Sequence, residues 1–266
     1  MRRRGLIGLG HRPGLARWLS SGIADVDCLE LTAEHFFDAD DGTIAAIGAR
    51  YPCSVHGLGL SLGTPGPLDD EVLEQYARVA RLANARWATE HVAFTRAGDV
   101  DLGHLNPVAP TADNLALLSE HAQAVHEATG LPVRLENITS ELALGGEMRE
   151  TEFLNALCAR PHVGLLLDVT NLYVNARNHR FDPRTWLNEL EPDNVKQMHI
   201  VGYGTRDGRL VDDHRAPIQP ELLDLLAAAA ERHAPEAVIL ERDLNVPGPP
   251  EILAELSRVR YALGWA

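Results

Sequence analysis

Residues 163–169 read Val163-Gly-Leu-Leu-Leu-Asp-Val169, and Asp168 is the one polar side chain in this apolar run. A short run of consecutive apolar residues is typical of a strand buried on both faces of a parallel sheet. Similar runs recur along the chain, and together they predict eight strands: Gly5–Leu9, Val26–Leu31, Ser54–Leu60, Ala88–Phe94, Pro132–Glu136, Val163–Val169, Lys196–Val201 and Ala237–Glu241.

Segments with helical periodicity separate these strands. Asp69–Arg86 opens with acidic residues, and Thr111–Thr129 has Thr111 to cap its start and Gly130 to end it. Weaker helices are predicted at Pro13–Ser20, Gly42–Tyr51, Met148–Ala159, Pro183–Leu190, Pro220–His233 and Pro249–Leu263. Eight strands that alternate with eight helices predict an α/β fold, a (β/α)8 TIM barrel. One such barrel takes about 250 residues, so we expect residues 1–266 to form a single domain.

Three long segments have no clear periodicity: Ala97–Pro110, Asn171–Asp182 and Gly202–Gln219. We predict irregular loops at all three. Each follows a predicted strand, so in a barrel all of them lie on the C-terminal face, where barrel enzymes carry their active sites.

The composition argues against several classes of function. Lys and Arg total 24 against 38 Asp and Glu, which gives a formal net charge of -14. Such an acidic chain is not attracted to phosphate backbones or anionic lipid, so we expect no nucleic-acid or membrane partner. No run of about 18 apolar residues is present to span a bilayer. Cys28, Cys53 and Cys158 form no C-x-x-C pair, and no signal-peptide pattern opens the sequence, which predicts a cytoplasmic protein.

Six consecutive predicted strands carry a histidine or a carboxylate near their C-terminal ends, and two more such residues follow the seventh strand: His56, His91, Glu136, Asp168, His199 and Glu241, then Asp212 and His214. The C-terminal ends of barrel strands meet at one mouth, so these side chains are predicted to converge. Ionised carboxylates that end apolar strands cost several kcal/mol unless cations neutralise them. Arg134, Arg160 and Arg242 are too few for that. The sequence therefore predicts a metal cluster at the C-terminal mouth.

The residue types narrow the choice of metal without deciding it. Imidazole and carboxylate ligands without sulfur suit iron, manganese or zinc, and His56, His91 and Glu136 could form the two-histidine, one-carboxylate face that iron oxygenases use. Each residue alone also has an ordinary structural explanation. Asp168 could cap the next helix, and a lone histidine at a strand end is usually a hydrogen-bonded core residue. It is the whole set that favours a metal.

Seven ordered motifs contain these residues: His56-Gly-Leu-Gly-Leu-Ser61, Glu90-His91, Leu135-Glu-Asn137, Leu166-Leu-Asp-Val-Thr-Asn171, His199-Ile-Val-Gly202, Asp212-Asp-His214 and Glu241-Arg-Asp243. In these motifs the chain resembles the multinuclear non-heme iron-dependent oxidative enzymes, whose best-known type is the methanobactin-biosynthesis oxygenase. The resemblance runs from the first predicted strand to about Pro247 and so covers most of the chain.

The resemblance implies a barrel with two or three iron ions of mixed Fe(II)/Fe(III) state and O2 as co-substrate. The implied reaction is oxidation of a ribosomally made precursor peptide, often at cysteine, in natural-product biosynthesis. Position by position, the resemblance implies three iron sites, held in turn by His56, His91 and Glu136, by Glu136, Asp168, His199 and Glu241, and by Asn171, Asp212 and His214.

Two further residues are expected to act in catalysis. Asn137 lies in the Leu135-Glu-Asn137 motif, and Tyr203 stands where many members of the family have a second histidine, from which it could hydrogen-bond the substrate. Family members commonly work with a separate protein that binds the leader of the precursor. A leader-binding partner is therefore also expected here.

Three alternatives stay open on the sequence alone. A zinc-dependent phosphodiesterase of the abasic-site endonuclease kind uses a similar barrel, but the acidic chain and Asn171, where those enzymes typically have histidine, argue against it. A sugar isomerase often uses a lysine, and Lys196 is the one lysine available. A non-catalytic metal-homeostasis protein would bind metal without consuming oxygen.

Overall fold

The computed structural model describes residues 4–98 and 100–265. Within these residues the chain forms twelve strands: β1 (Leu6–Gly10), β2 (Cys28–Thr32), β3 (Cys53–His56), β4 (Ala88–His91), β5 (Ala93–Ala97), β6 (Val100–Pro107), β7 (Val133–Glu136), β8 (Val163–Asp168), β9 (Val195–Ile200), β10 (Gly202–Arg206), β11 (Arg209–Ala216) and β12 (Ala237–Leu240). The same residues form nine α-helices: α1 (Ala16–Leu19), α2 (Asp41–Gly48), α3 (Asp70–Leu82), α4 (Ala112–Thr129), α5 (Glu150–Cys158), α6 (Val169–His179), α7 (Pro183–Glu189), α8 (Pro220–His233) and α9 (Pro249–Leu263). Short 3-10 turns cover Pro13–Leu15 and Ala33–Phe36.

Eight parallel strands close into a barrel in the order β1, β12, β9, β8, β7, β4, β3, β2. The predicted (β/α)8 TIM-barrel fold is confirmed, and each of the eight predicted strands is one of these barrel strands. The helical predictions are also confirmed in position. Thr111 caps α4 by accepting a hydrogen bond from the Asn114 amide at 3.3 Å, and Gly130 ends this helix with φ at 71°.

Side-chain alternation along the strands decides which residues face the barrel interior. Leu165 and Leu167 of β8 belong to the main apolar core together with helix residues such as Leu154. Successive side chains of a strand point to opposite faces, so Asp168 turns towards the interior. Glu136 is placed in the same way, because its neighbour Leu135 lies in the core. The barrel mouth therefore receives the polar strand-end residues.

The predicted strand Ser54–Leu60 ends earlier, at His56, because the following backbone binds carboxylates instead of a neighbouring strand. The Gly59 amide donates to Oε1 of Glu34 at 2.7 Å, and the Leu60 amide donates to Oε2 of Glu90 at 3.2 Å. A Cβ atom at Gly57 would lie 2.6 Å from the Glu90 carboxylate, so this close approach requires glycine.

The prediction of irregular loops in three segments is wrong, because all three contain regular secondary structure. Asn171–Asp182 is largely helix α6, whose buried face includes the polar residues Thr170 and Asn171 and therefore shows no continuous apolar stripe in the sequence. Ala97–Pro110 contains most of the antiparallel hairpin β5–β6, and Gly202–Gln219 contains the hairpin β10–β11. Both hairpins follow barrel strands at the mouth, and nearly all of their residues keep some solvent exposure. Neither face of these strands is fully buried, so their sequences lack the apolar alternation of a strand that packs one face on the core.

In the part of the chain that the structure describes, no helix is both long enough and apolar enough to cross a membrane.

Candidate metal centre

The C-terminal strand ends bring six buried polar residues together: His56, His91, Glu136 and Asp168 end β3, β4, β7 and β8, His199 is the penultimate residue of β9, and Glu241 directly follows β12. Strand register places His91 beside Glu136 and Asp168 beside His199. The predicted convergence is therefore present. Their ligand atoms form two groups in which every atom lies within 4.8 Å of the others.

In the first group, two histidines face one carboxylate. Nε2 of His56 lies 3.6 Å from Oε2 of Glu136, and Nε2 of His91 lies 3.5 Å from the same oxygen. Two ligand atoms that each lie about 2.0–2.2 Å from one ion are separated by about 3 Å or slightly more. These three atoms could therefore hold a single ion between them.

In the second group, Glu136 meets Asp168, His199 and Glu241. Nδ1 of His199 lies 3.0 Å from Oε2 of Glu241 and 3.5 Å from Oε1 of Glu136. The two oxygens of Glu136 thus face different groups, Oε2 the first and Oε1 the second. This carboxylate could bridge two ions.

Several buried polar atoms around these groups have no hydrogen-bond partner among the described residues: Glu136 Oε2, Asp168 Oδ2, Asn171 Oδ1, His199 Nδ1 and Asp212 Oδ1. Each buried polar atom left without a partner costs about 1–3 kcal/mol, so native proteins contain few of them. Four of these five are oxygens, which only accept, and the fifth is an imidazole nitrogen. Cations bound at the two groups would give such atoms a partner, so the residues present fit bound metal.

The electrostatics of the second group show the same need for a cation. Burial, followed by the negative charges of Asp212 and Glu136, raises the pKa of Asp168 well above its ordinary value. Burial also opposes ionisation of Glu241, but His199 outweighs it and holds the pKa of Glu241 well below the ordinary value. Without metal, Asp168 is therefore a destabilised carboxylate.

Both histidines of the first group form a hydrogen bond through Nδ1, the ring nitrogen that faces away from Glu136. Nδ1 of His56 lies 2.8 Å from Oγ1 of Thr89, and Nδ1 of His91 lies 2.9 Å from Oε1 of Glu90. Burial lowers the pKa of His91, but Glu136 and Glu90 outweigh it and raise that pKa to about 9. A hydrogen bond at the far nitrogen orients a ligand imidazole and fixes its tautomer, so both rings present Nε2 to the mouth.

A third group lies at the rim and consists of His214, Glu241 and Asp243. Nδ1 of His214 lies 2.9 Å from Oδ2 of Asp243, and its Nε2 lies 3.0 Å from Oδ2 of Asp212. The buried guanidinium of Arg12 also binds Asp243, with Nε 2.6 Å from Oδ1, and its Nη2 reaches Glu241 at 3.4 Å. Arg12 therefore supplies positive charge to the carboxylates of the rim group.

The two asparagines predicted as functional anchor the strand ends through their amides. Asn137 pairs with the backbone of Asp168 in both directions, at 3.0 and 2.9 Å. Asn171 donates through Nδ2 to the carbonyl of Asn137 at 3.1 Å, and its Oδ1 stays free of a partner among the described residues. Asn171 could therefore offer an oxygen ligand, whereas both polar atoms of the Asn137 amide already contact Asp168.

Tyr203 lies outside all three groups. Its hydroxyl donates to Oε1 of Glu221 at 2.5 Å, and its ring stacks on Tyr173 with centroids 5.5 Å apart. Burial, then Glu221, raises the pKa of this hydroxyl above its ordinary value.

Sequence reasoning missed Arg12, Glu30 and Asp243. Glu30 was detectable in principle, because it is an acid in the middle of the apolar strand β2. The Arg12 contacts offered no such signal, because its partners Glu241 and Asp243 lie 229 and 231 residues away in the sequence.

Comparison with known proteins identifies relatives along nearly the whole chain. The model of the family described as "RiPP precursor modification enzyme MbnB/TglH/ChrH" matches residues 6–263. A UPF0276 protein from Caulobacter vibrioides is 33% identical over 265 residues, covering 97% of this chain and 95% of the relative.

Solved structures share the fold at low identity. Endonuclease IV from Thermus thermophilus superimposes with a TM-score of 0.66 at 18% identity, covering 98% of this chain and 100% of that one. D-Psicose 3-epimerase from Clostridium cellulolyticum gives a TM-score of 0.67 at 11% identity, with 97% and 99% of the two chains covered. These likenesses establish the barrel fold and carry no information on the reaction.

Proposed function

Because this chain belongs to the MbnB/TglH/ChrH family of RiPP precursor modification enzymes, we propose that it oxidises a precursor peptide with O2 at a multinuclear iron centre. The proposed target is a cysteine of a ribosomally made peptide. Phosphodiester hydrolysis, sugar isomerisation and metal storage remain alternatives that no particular contact in the structure favours.

The single observation that supports the metal centre most strongly is the set of buried polar atoms without partners. Five of them, on Glu136, Asp168, Asn171, His199 and Asp212, surround the two groups at the mouth. An enzyme without metal has no reason to keep several unsatisfied carboxylate oxygens in one buried place, because each one lowers stability.

We assign one iron to His56, His91 and Glu136, and a second to Glu136, Asp168, His199 and Glu241, with Glu136 as the bridge. A third ion would bind at the rim with His214, Asp212 and Asn171, and with the carboxylates of Glu241 and Asp243, which also face His214. It would compete there with Arg12, which already holds the carboxylates of Asp243 and Glu241. We therefore expect two firmly bound ions and a third that binds more weakly.

Bound iron would supply a site for the substrate thiolate, whose pKa a metal lowers, and the redox steps by which O2 is reduced. A four-electron oxidation of the cysteine balances the reduction of one O2 to two waters. The protein's own contribution is to fix the ligands. Asn137 holds the backbone at Asp168, and Thr89 and Glu90 orient His56 and His91.

The surface around the mouth supports a peptide as the substrate. Most of the large hydrophobic residues exposed on the described chain follow barrel strands and so surround the mouth: Leu58, Val100, Leu142, Leu144 and Leu244. Tyr261, on α9, is the exception. Exposed apolar residues gathered in one region are typical of an interaction surface. The same surface could also receive a leader-binding partner.

A cavity of about 390 Å³ opens beside Asn137 and Val92, which directly follow Glu136 and His91. Ile138 and Phe153 contribute to its largely apolar lining. A cavity of this size accommodates an apolar side chain of the peptide next to the reacting cysteine. We keep Tyr203 as a candidate for substrate contact, because its hydroxyl lies at the base of the β10–β11 hairpin.

The proposal is tested by loading the protein with Fe(II) under anaerobic conditions, then adding O2 and a short cysteine-containing peptide encoded beside its gene. We expect one O2 consumed per peptide and the mass shift of a four-electron oxidation. The peptide with cysteine replaced by serine is the control and stays unmodified. Stoichiometric zinc in the isolated protein, with no iron uptake and no O2 consumption, would contradict the proposal.

A further inference from the structure

Glu30 lies in the barrel interior next to the second metal group but belongs to none of the three groups. It sits in β2 between the core residues Leu29 and Leu31, and it is 2% exposed. Its Oε1 lies 2.5 Å from Nε2 of His199. The contact is therefore made to the ring nitrogen opposite the one that faces Glu136 and Glu241.

The second oxygen of Glu30 is also fully engaged. Oε2 accepts hydrogen bonds from Oγ of Ser54 at 2.9 Å and from Nε2 of Gln197 at 2.6 Å. Gln197 is itself oriented, because its Oε1 accepts from Nε1 of Trp87 and so leaves its amide nitrogen facing Glu30. Glu30 thus has polar partners at both of its oxygens, which hold its carboxylate against His199.

An ionised carboxylate only accepts hydrogen bonds. The amide nitrogen of Gln197 lies 3.1 Å from Nε2 of His199, but the carboxylate of Glu30 is closer, at 2.5 Å, and needs a donor, so the proton lies on Nε2. The metal-facing nitrogen is therefore Nδ1. The first group is built the opposite way, because His56 and His91 present Nε2 to Glu136 and turn Nδ1 to Thr89 and Glu90. The two metal positions need opposite imidazole tautomers.

We propose that Glu30 is a positioning residue that selects the Nε2-protonated tautomer of His199 and thereby aims Nδ1 at the second metal position. The inference rests on the proposed metal centre. It adds that Glu30 orients His199, a ligand of the second position, whereas Glu90 orients His91, a ligand of the first.

The substitution Glu30→Gln removes this selection with little change in volume. A glutamine side chain has one oxygen, whereas Glu30 faces donors on both sides, from His199 on one and from Ser54 and Gln197 on the other. An amide nitrogen turned towards His199 donates to Nε2 and moves the imidazole proton to Nδ1. That nitrogen then cannot bind metal.

The experiment titrates metal-free protein with Co(II) and counts bound ions by mass spectrometry, with visible absorption as the signal of each position. The variant His91→Ala isolates the second position. In this background we expect Glu30→Gln to lower Co(II) affinity by about 10–100-fold, the usual cost of losing an outer partner of a ligand histidine. Glu255→Gln, which changes a buried carboxylate outside the three groups, is the matched control and leaves the second position unchanged.

Two additional measurements keep the inference testable if Glu30→Gln folds poorly. Long-range proton–nitrogen correlation spectra of the Zn(II)-loaded native chain report each tautomer directly. We expect His199 protonated at Nε2 and both His56 and His91 protonated at Nδ1. Glu30→Asp keeps a group that only accepts, so it should recover part of the lost affinity.

The outcomes separate the two proposals. A native chain that binds no ion overturns the metal centre and, with it, the role of Glu30. A native chain that binds two ions, with unchanged second-position affinity in Glu30→Gln or with His199 protonated at Nδ1, overturns the role of Glu30 alone.

Discussion

The two buried groups at the barrel mouth and the third group at its rim use the same residue types but differ in what neutralises their charge. The buried groups share Glu136, lie at strand ends, and contain oxygens without partners. In the rim group, Asp243 is partly exposed and paired with Arg12 and His214. Residue type alone therefore does not identify a firm metal site. Buried carboxylate oxygens that have no partner among the described residues identify it better.

This comparison ranks the positions by their need for metal. A buried carboxylate without a partner is expensive, whereas one already paired with a guanidinium gains less from a metal ion. The predictions below test that ranking, beginning with the residue that both buried groups share.

Glu136→Gln should have the largest effect, because the bridging carboxylate contributes an oxygen to each buried group. We expect loss of both firmly bound irons, an effect larger than the roughly 10–100-fold cost of an outer partner. Metal analysis after anaerobic loading measures it. Glu255→Gln is the matched control, since Glu255 is a buried carboxylate on α9 that belongs to none of the three groups. Two irons retained in Glu136→Gln would refute the bridge.

Asp168→Asn should separate stability from metal binding. An asparagine still caps α6, as the Asp168 carboxylate now does by accepting from the Asn171 amide. It also removes a buried negative charge that Asp212 and Glu136 repel. We expect the metal-free variant to be more stable than the native chain by on the order of 1–3 kcal/mol at neutral pH, with the metal-dependent rise in melting temperature lost.

The stability of the metal-free protein should depend on pH through the ionisation of Asp168. Because burial raises the pKa of Asp168 above its unfolded value, its contribution to the stability of the metal-free protein is present at low pH and is lost as pH rises through the folded pKa. Melting curves across pH should therefore show the advantage of Asp168→Asn growing with pH. An advantage that shrinks as pH rises would contradict this electrostatic account.

Arg12→Gln tests the rim group. Removing the guanidinium frees Asp243 and Glu241 from a competing cation, so affinity for a third ion should rise by about 10–100-fold, the equivalent of one or two charge-assisted hydrogen bonds. Titration of protein already loaded with two irons measures this. Arg134→Gln, which removes a buried arginine paired with Glu236 near the start of β7, should leave the third ion unchanged. An unchanged affinity for the third ion in Arg12→Gln would mean that Arg12 does not compete with this ion for the rim carboxylates.

Tyr203→Phe should have the smallest effect on metal. It removes the hydrogen bond to Glu221, worth about 0.5–1.5 kcal/mol, and leaves all three groups intact. We expect unchanged iron content. A loss of peptide oxidation at constant iron content would favour the predicted catalytic role of Tyr203, and unchanged oxidation would assign it to packing.

Much of the site could be predicted because the fold places strand ends together. Apolar runs that end in Glu136 or Asp168 predict both the barrel strands and the buried charge at their ends. The alternation of side chains along β8 predicts that Asp168 points into the barrel. Helix α6 was missed because its polar residues serve the site: Asn171 and Asn175 anchor the segment that follows β7. A helix whose polar side chains are used in this way shows no ordinary amphipathic pattern.

The rest depended on contacts between distant parts of the chain. Glu30 and His199 lie on β2 and β9, which do not pair in the barrel, so they meet only across its interior. Asp243 directly follows Arg242 in the sequence, but the guanidinium that binds it belongs to Arg12, near the opposite end of the chain. Sequence spacing carries no information on such pairs, because they arise from closure of the barrel.

The most direct test is the metal content of protein produced with iron supplied and purified without oxygen, combined with Mössbauer spectroscopy. We expect at least two irons per chain with magnetic coupling between them, since the two oxygens of Glu136 face the two proposed iron positions. Stoichiometric zinc without iron uptake, or irons without coupling, would contradict a bridged iron centre.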